Sequence, residues 1–146
     1  MISARAEFAR SRSFKVPKSL EIFMTRILIV EDKATSRELL QTVLEQQGYS
    51  VIEASDGEEA LQRLGEASPD LVFLDLQIPA RNGYEVLRAI RGDHRFANLP
   101  VVALTASAMQ EDRDKAMAAG FTGYIAKPVR LAQLRNEVHR LLRTDT

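Results

Sequence analysis

The chain contains no cysteine, which excludes disulfides, thiolate zinc sites and a cysteine nucleophile. Its two histidines, His94 and His139, offer no metal-ligand cluster. No apolar run approaches the roughly 18 residues that a membrane-spanning helix requires, so a cytoplasmic address and no membrane partner are expected. Net charge is also missing: the formal balance at pH 7 is zero. That balance is uneven, because residues 1–23 carry Arg5, Arg10, Arg12, Lys15 and Lys18 against Glu7 and Glu21, which leaves the remainder at minus three. A mildly acidic body lacks the basic face of a nucleic-acid binder, so no direct nucleic-acid contact is expected.

What is present suits one ordinary domain, since 146 residues with 45% hydrophobic content can bury a core of their own. Residues 1–23 show no sustained periodicity and precede Met24-Thr25-Arg26, which reads like a natural start. Their Ser/Arg content is similar to that of a transit peptide, but tag residues or an over-long gene start account for it better. The expectation is a flexible, functionally silent leader over 1–23 and a folded domain over 24–146.

From Arg26 onward, short apolar runs alternate with amphipathic segments, the pattern of a parallel α/β sheet. The runs are Arg26–Val30, Ser50–Ala54, Asp70–Leu74, Pro100–Leu104 and Gly123–Ala126. Between them Leu39, Leu40, Val43 and Leu44 recur at helical spacing, as do Ala60, Leu61 and Leu64, then Val86, Leu87 and Ile90. A last helix carries Leu131, Leu134, Val138, Leu141 and Leu142. Thr35 and Glu38 have the spacing of a capping box for the first helix, and Gly48, Gly65, Gly92 and Gly120 sit near helix ends. Runs one, three and four are almost wholly apolar, as strands covered on both faces should be, whereas the more polar second run suits an edge.

Three of these runs end in charged groups: the first delivers Glu31-Asp32, the third Asp75 and the fifth Lys127-Pro128. Parallel strands share one direction, so their carboxyl ends meet along one rim, where open α/β folds place ligands. Adjacent Glu31 and Asp32 disfavour each other's ionised form when buried. A divalent cation resolves that conflict, and with Asp75 alongside, the hard oxygen donors suit Mg2+. The bland alternatives are a helix-capping Asp32, a solvated Lys127 before a helix, and Thr105 and Tyr124 as ordinary strand residues.

The sequence resembles the receiver domain of two-component response regulators, found in bacterial single-domain cell-division regulators and in hybrid kinases. The resemblance runs from Arg26 to Leu142. It rests on Ile-Leu-Ile-Val-Glu31-Asp32, on Asp75-Leu-Gln-Ile-Pro79-Ala-Arg-Asn82-Gly83, on Ala103-Leu-Thr105-Ala106, and on Gly123-Tyr124-Ile-Ala-Lys127-Pro128. It implies a doubly wound, flavodoxin-like (βα)5 fold with a five-stranded parallel sheet in the order 2-1-3-4-5. It further implies that Asp75 accepts a phosphoryl group from a histidine kinase or phosphotransfer protein. Mg2+ would be held by Asp32, Asp75 and the main-chain carbonyl of Gln77, with Glu31 acting through water. Lys127, aimed by a cis bond to Pro128, would meet the phosphate. Thr105 and Tyr124 would form the switch, the hydroxyl moving toward the phosphate and the ring turning inward to remodel the surface of helix four, strand five and helix five. The signal would then leave through contacts with a downstream protein, from a monomer or a phosphorylation-dependent dimer.

Two departures from the pattern bear on this. Lys33 stands where the family often has an amide or acid, and is expected to weaken Mg2+ binding or attract phosphodonors; Ile78 replaces a frequent methionine. Gln77 and Ala106 lie where family members tune self-dephosphorylation. A phosphohydrolase with Asp75 as turnover nucleophile is the enzymatic alternative, but dehalogenase-type phosphatases carry a second aspartate where this chain has Gln77. An interaction domain that is never phosphorylated is the other alternative. Asp56-Gly57-Glu58-Glu59 reads as a helix opening, Asn82-Gly83 as a tight turn without chemical role, and His139 as a solvated face residue.

Overall fold

Five runs rich in Val, Ile and Leu form five strands, and in the computed structural model they all lie parallel in one sheet ordered β2-β1-β3-β4-β5. They are β1 (Arg26–Val30), β2 (Ser50–Ala54), β3 (Leu71–Asp75), β4 (Val101–Thr105) and β5 (Gly123–Ala126). The helices between them are α1 (Ala34–Gln46), α2 (Gly57–Ala67), α3 (Gly83–Gly92), α4 (Gln110–Ala119) and α5 (Leu131–Leu142), with a 3-10 turn at His94–Phe96. The structure describes residues 24–142, so the expectation of a flexible leader falls outside the described residues.

Side chains alternate across a strand, and both faces of this sheet are covered. Leu28, Val30, Val72, Leu74, Val101 and Ala103 pack against the buried residues of α2, α3 and α4. Ile27, Ile29, Phe73, Val102, Leu104 and Ile125 pack against those of α1 and α5. Every residue of β3 and β4 is buried, whereas β2, carrying Glu53 at the edge, is mostly half-buried. Each buried Leu, Ile, Val or Phe side chain stabilises the fold by about 1.5–3 kcal/mol, so β3 and β4, buried throughout, contribute strongly to the core.

Two strands end one residue later than the apolar pattern suggests. Leu76 N donates to Leu104 O at 3.0 Å and Lys127 N to Thr105 O at 2.6 Å, so the ladder continues through Asp75 and Thr105. The expected capping box at Thr35 and Glu38 does not form: α1 begins at Ala34 and its N-cap is Lys33, without a side-chain cap bond. Thr35 is therefore already inside the first turn. A reciprocal capping box stands instead at α3, where Asn82 Oδ1 accepts from Glu85 N at 3.0 Å and Glu85 Oε1 accepts from Asn82 N at 3.3 Å. The Asn82-Gly83 pair is thus a helix start and not merely a turn. The Asp56-Gly57-Glu58-Glu59 segment opens α2 as expected, and Asp56 in addition caps it, its Oδ1 accepting from Glu59 N at 2.8 Å. Gly48 and Gly120 take left-handed conformations past the ends of α1 and α4, while Gly65 lies within α2 and Gly92 is the last residue of α3.

Candidate functional site

β1 and β3 are adjacent and in register, with Val30 opposite Leu74, so Glu31, just past β1, and Asp75, the last residue of β3, emerge side by side. Glu31 is fully buried and Asp75 nearly so, while Asp32 is exposed. One carboxylate oxygen from each of the three lies within 4.8 Å of the others. From the far edge, the residue after β5 reaches over: Lys127 Nζ donates to Glu31 Oε1 at 2.6 Å and to Asp75 Oδ2 at 2.5 Å. The second oxygens are also engaged, Asp75 Oδ1 accepting from Gln77 N at 2.8 Å and Glu31 Oε2 from Lys33 N at 3.3 Å. The rim predicted from the strand ends is therefore one cluster of three carboxylates and one ammonium. The bond from Lys127 to Pro128 is cis, as the resemblance implies.

Burial raises the proton affinity of Glu31 and the neighbouring Asp75 adds to this, while Lys127 opposes it; the net shift is upward. Lys127 shows the reverse contest: burial pulls its pKa down, but the bonds to Asp75 and Glu31 prevail and hold it above the ordinary lysine value. One ammonium thus neutralises part of a cluster that still carries an excess of negative charge.

The candidate switch residues do not bond each other; they meet on Ser107. Thr105, buried at the end of β4, accepts from Ser107 N at 3.2 Å through Oγ1. Tyr124 lies inward with its ring buried, and its hydroxyl donates to Ser107 O at 2.8 Å. The Ser107 hydroxyl in turn donates to Asp112 Oδ2 at 2.5 Å at the start of α4. The guanidinium of Arg113 on α4 stands 5.9 Å from the Tyr124 ring centroid, within reach of a cation–π attraction. Ser107 escaped the sequence reading because it sits in a loop with no periodicity. Gln77 and Ala106 are exposed, and so is His139 on the last helix.

The family model of the response regulator receiver domain matches residues 27–139. The chain belongs to the receiver-domain family. This receiver is 36% identical over 118 residues to the phosphate regulon transcriptional regulatory protein PhoB of Escherichia coli, covering 81% of this chain and 52% of PhoB. It spans about half the length of that relative. It is also 36% identical over 103 residues to the polar-differentiation response regulator DivK of Brucella ovis, covering 70% of this chain and 84% of DivK. Among solved structures, the chemotaxis response regulator CheY4 of Vibrio cholerae superposes with a TM-score of 0.77 at 30% identity, over 81% of this chain and 98% of that one. The signal receiver domain of a signal transduction histidine kinase from Syntrophus aciditrophicus gives 0.75 at 33% identity, over 84% and 92%.

Receiver domains are phosphoacceptor signalling modules rather than enzymes, and they work with histidine kinases and downstream effectors. They bind Mg2+ in an acidic pocket, and in this receiver the acidic cluster is Glu31, Asp32 and Asp75. The donors fit that ion: all are hard oxygens, and Asp32 faces solvent, leaving room for retained waters. Among the described residues, no helix is long and apolar enough to cross a membrane.

Proposed function

We propose that this receiver is a phosphorylation switch in which Asp75 accepts a phosphoryl group from a phosphohistidine of a kinase or phosphotransfer protein. The observation that carries this reading is the convergence of Lys127 on Asp75 and Glu31 beside Asp32. In the transfer, the phosphorus–nitrogen bond of the donor breaks as a bond to an Asp75 oxygen forms, and the imidazole leaves. Such a step needs in-line positioning and charge neutralisation more than acid–base help. Asp75 is positioned by Gln77 N and by the Lys127 ammonium, and that ammonium can pair with a phosphoryl oxygen once Asp75 carries the acyl phosphate. Asp32, Asp75 and the main-chain carbonyl of Gln77 would hold Mg2+, with Glu31 reaching it through water, and the ion would supply further neutralisation of the transferring group.

The readout runs through Thr105 and Tyr124. A Thr105 hydroxyl drawn to the phosphoryl group leaves Ser107 N, and Ser107 holds both the Tyr124 hydroxyl and, through Asp112, the start of α4. The surface of α4, β5 and α5 is then what a downstream protein meets, whether the receiver acts as a monomer or as a phosphorylation-dependent dimer in the bacterial cytoplasm. We take the functional unit to be 24–146.

Intact-mass measurement after incubation with acetyl phosphate and Mg2+ tests the assignment. One added phosphoryl group is expected in the wild type and none in Asp75→Asn. Phosphorylation that survives in Asp75→Asn, or that proceeds unchanged after removal of divalent ions, would refute it; rapid turnover without accumulation would favour self-dephosphorylation.

A further inference from the structure

Arg37 belongs to the first turn of α1, yet its guanidinium serves two groups outside that helix. Nη1 donates to the main-chain carbonyl of Glu31 at 2.7 Å, and Nε donates to Glu53 Oε1 on β2 at 3.1 Å. The side chain is only 19% exposed. Its own backbone is tied to the turn that follows the acidic pair, since Arg37 N donates to Lys33 O at 3.0 Å. On the other side of Glu31, its N–H donates to Ala54 O at 3.0 Å.

The carbonyl that Arg37 holds is part of the peptide joining Glu31 to Asp32. A peptide unit is planar, so pinning its oxygen fixes the direction in which the chain leaves β1 and the point from which the Asp32 side chain departs. Asp32 is exposed, with little packing of its own to hold it near Glu31 and Asp75. We propose that Arg37 is a positioning residue for the metal site: by clamping the Glu31 carbonyl against Glu53, it keeps the Asp32 carboxylate assembled with Glu31 and Asp75 before the cation arrives. The inference rests on the reading of Asp32 and Asp75 as Mg2+ ligands.

The sign of the effect separates this role from a simpler one. As a mere cation near an acidic cluster, Arg37 would oppose a second cation, and neutralising it would tighten Mg2+ binding. As a clamp, its loss weakens binding, because residues that orient metal ligands typically contribute about ten- to a hundredfold in affinity.

Calorimetric titration of Mg2+ into the full chain, as wild type, Arg37→Met and Arg37→Lys, decides between them, with thermal melts of each. Methionine keeps most of the apolar stem, and Arg37→Met should bind Mg2+ about tenfold more weakly. Lysine keeps the charge but lacks the fork that reaches both acceptors at once, so Arg37→Lys should lose roughly threefold. The Asp32 amide resonance should also shift in both variants before any metal is added. Equal or tighter binding in Arg37→Met overturns the proposal; should that variant fail to fold, unchanged affinity and an unshifted Asp32 amide in Arg37→Lys overturn it. A wild type that takes up no Mg2+ overturns the metal assignment and this inference with it, whereas wild-type binding with unaltered variants overturns the inference alone.

Discussion

Replacing Lys127 by Met removes the ammonium shared by Glu31 and Asp75 while keeping most of its apolar stem. Glu31 is fully buried and Asp75 is 4% exposed, so two carboxylates are left facing each other with little water between them. Removing one partner of a buried ion pair costs about 3–5 kcal/mol, and the exposed Asp32 side of this pocket reduces that toward about 2 kcal/mol. The upper bound follows from proton uptake: one carboxyl escapes the repulsion by binding a proton. At pH 7, protonating a carboxylate of ordinary pKa 4.5 costs about 3.4 kcal/mol at 1.36 kcal/mol per unit. At pH 5.5 the same escape costs only about 1.4 kcal/mol. Lys127 has a pKa raised above the ordinary 10.5, so its own contribution in the wild type is fully present at both of these pH values and does not vary between them. Urea denaturation in EDTA should therefore show Lys127→Met destabilised by about 2–3.4 kcal/mol at pH 7 and by no more than about 1.4 at pH 5.5. A penalty below about 1 kcal/mol at pH 7 would show that the ammonium does not bridge the two acids. A penalty that does not fall at pH 5.5 would refute the proton-uptake argument.

Glu31→Gln probes the same cluster from the other side: the raised pKa means that the folded state binds more protons above pH 4.5, so wild-type stability should fall with rising pH relative to the variant. Parallel pH–stability curves in EDTA would contradict this. In Gly83→Ala, the added Cβ would stand 2.7 Å from Leu76 Cα and 2.9 Å from the Asp75 carbonyl oxygen. Overpacking of about 1–3 kcal/mol, partly offset by helix propensity, should lower stability by about 1–2 kcal/mol. Acetyl phosphate should also react more slowly as the β3–α3 loop shifts, and a variant with both quantities unchanged would count against the close approach. Thr105→Ala strips Ser107 N of its acceptor at a cost of about 1 kcal/mol. It should still take phosphate but respond weakly at Tyr124 and α5, and a full wild-type set of NMR shifts on adding beryllofluoride would rule out the relay.

Much of the fold was legible because strand burial is written in composition. Runs one, three and four are continuous apolar stretches, and they are the three central strands; the mixed run two, with Glu53, is an edge. The acids at the ends of β1 and β3 and the lysine after β5 could be assigned to one rim because parallel strands point the same way. Helix starts were less legible. The Thr35–Glu38 spacing matches a capping box as well as Asn82–Glu85 does, but α1 starts at Ala34, directly after Asp32 and Lys33, so Thr35 is not at the cap position.

By itself, then, the order of residues determined which charged groups stand at the ends of β1, β3 and β5, because burial periodicity and turn chemistry act over a few neighbouring residues. It could not decide that Ser107 joins Thr105 to Tyr124, or that Arg37 grips the Glu31 carbonyl and Glu53 together. Those contacts involve loop backbone or partners on other elements, and hydrogen bonds carry no sequence period. Only the packing of five strands in one register, with helices on both faces, sets the distances at which the groups share a proton, a cation or a hydrogen bond.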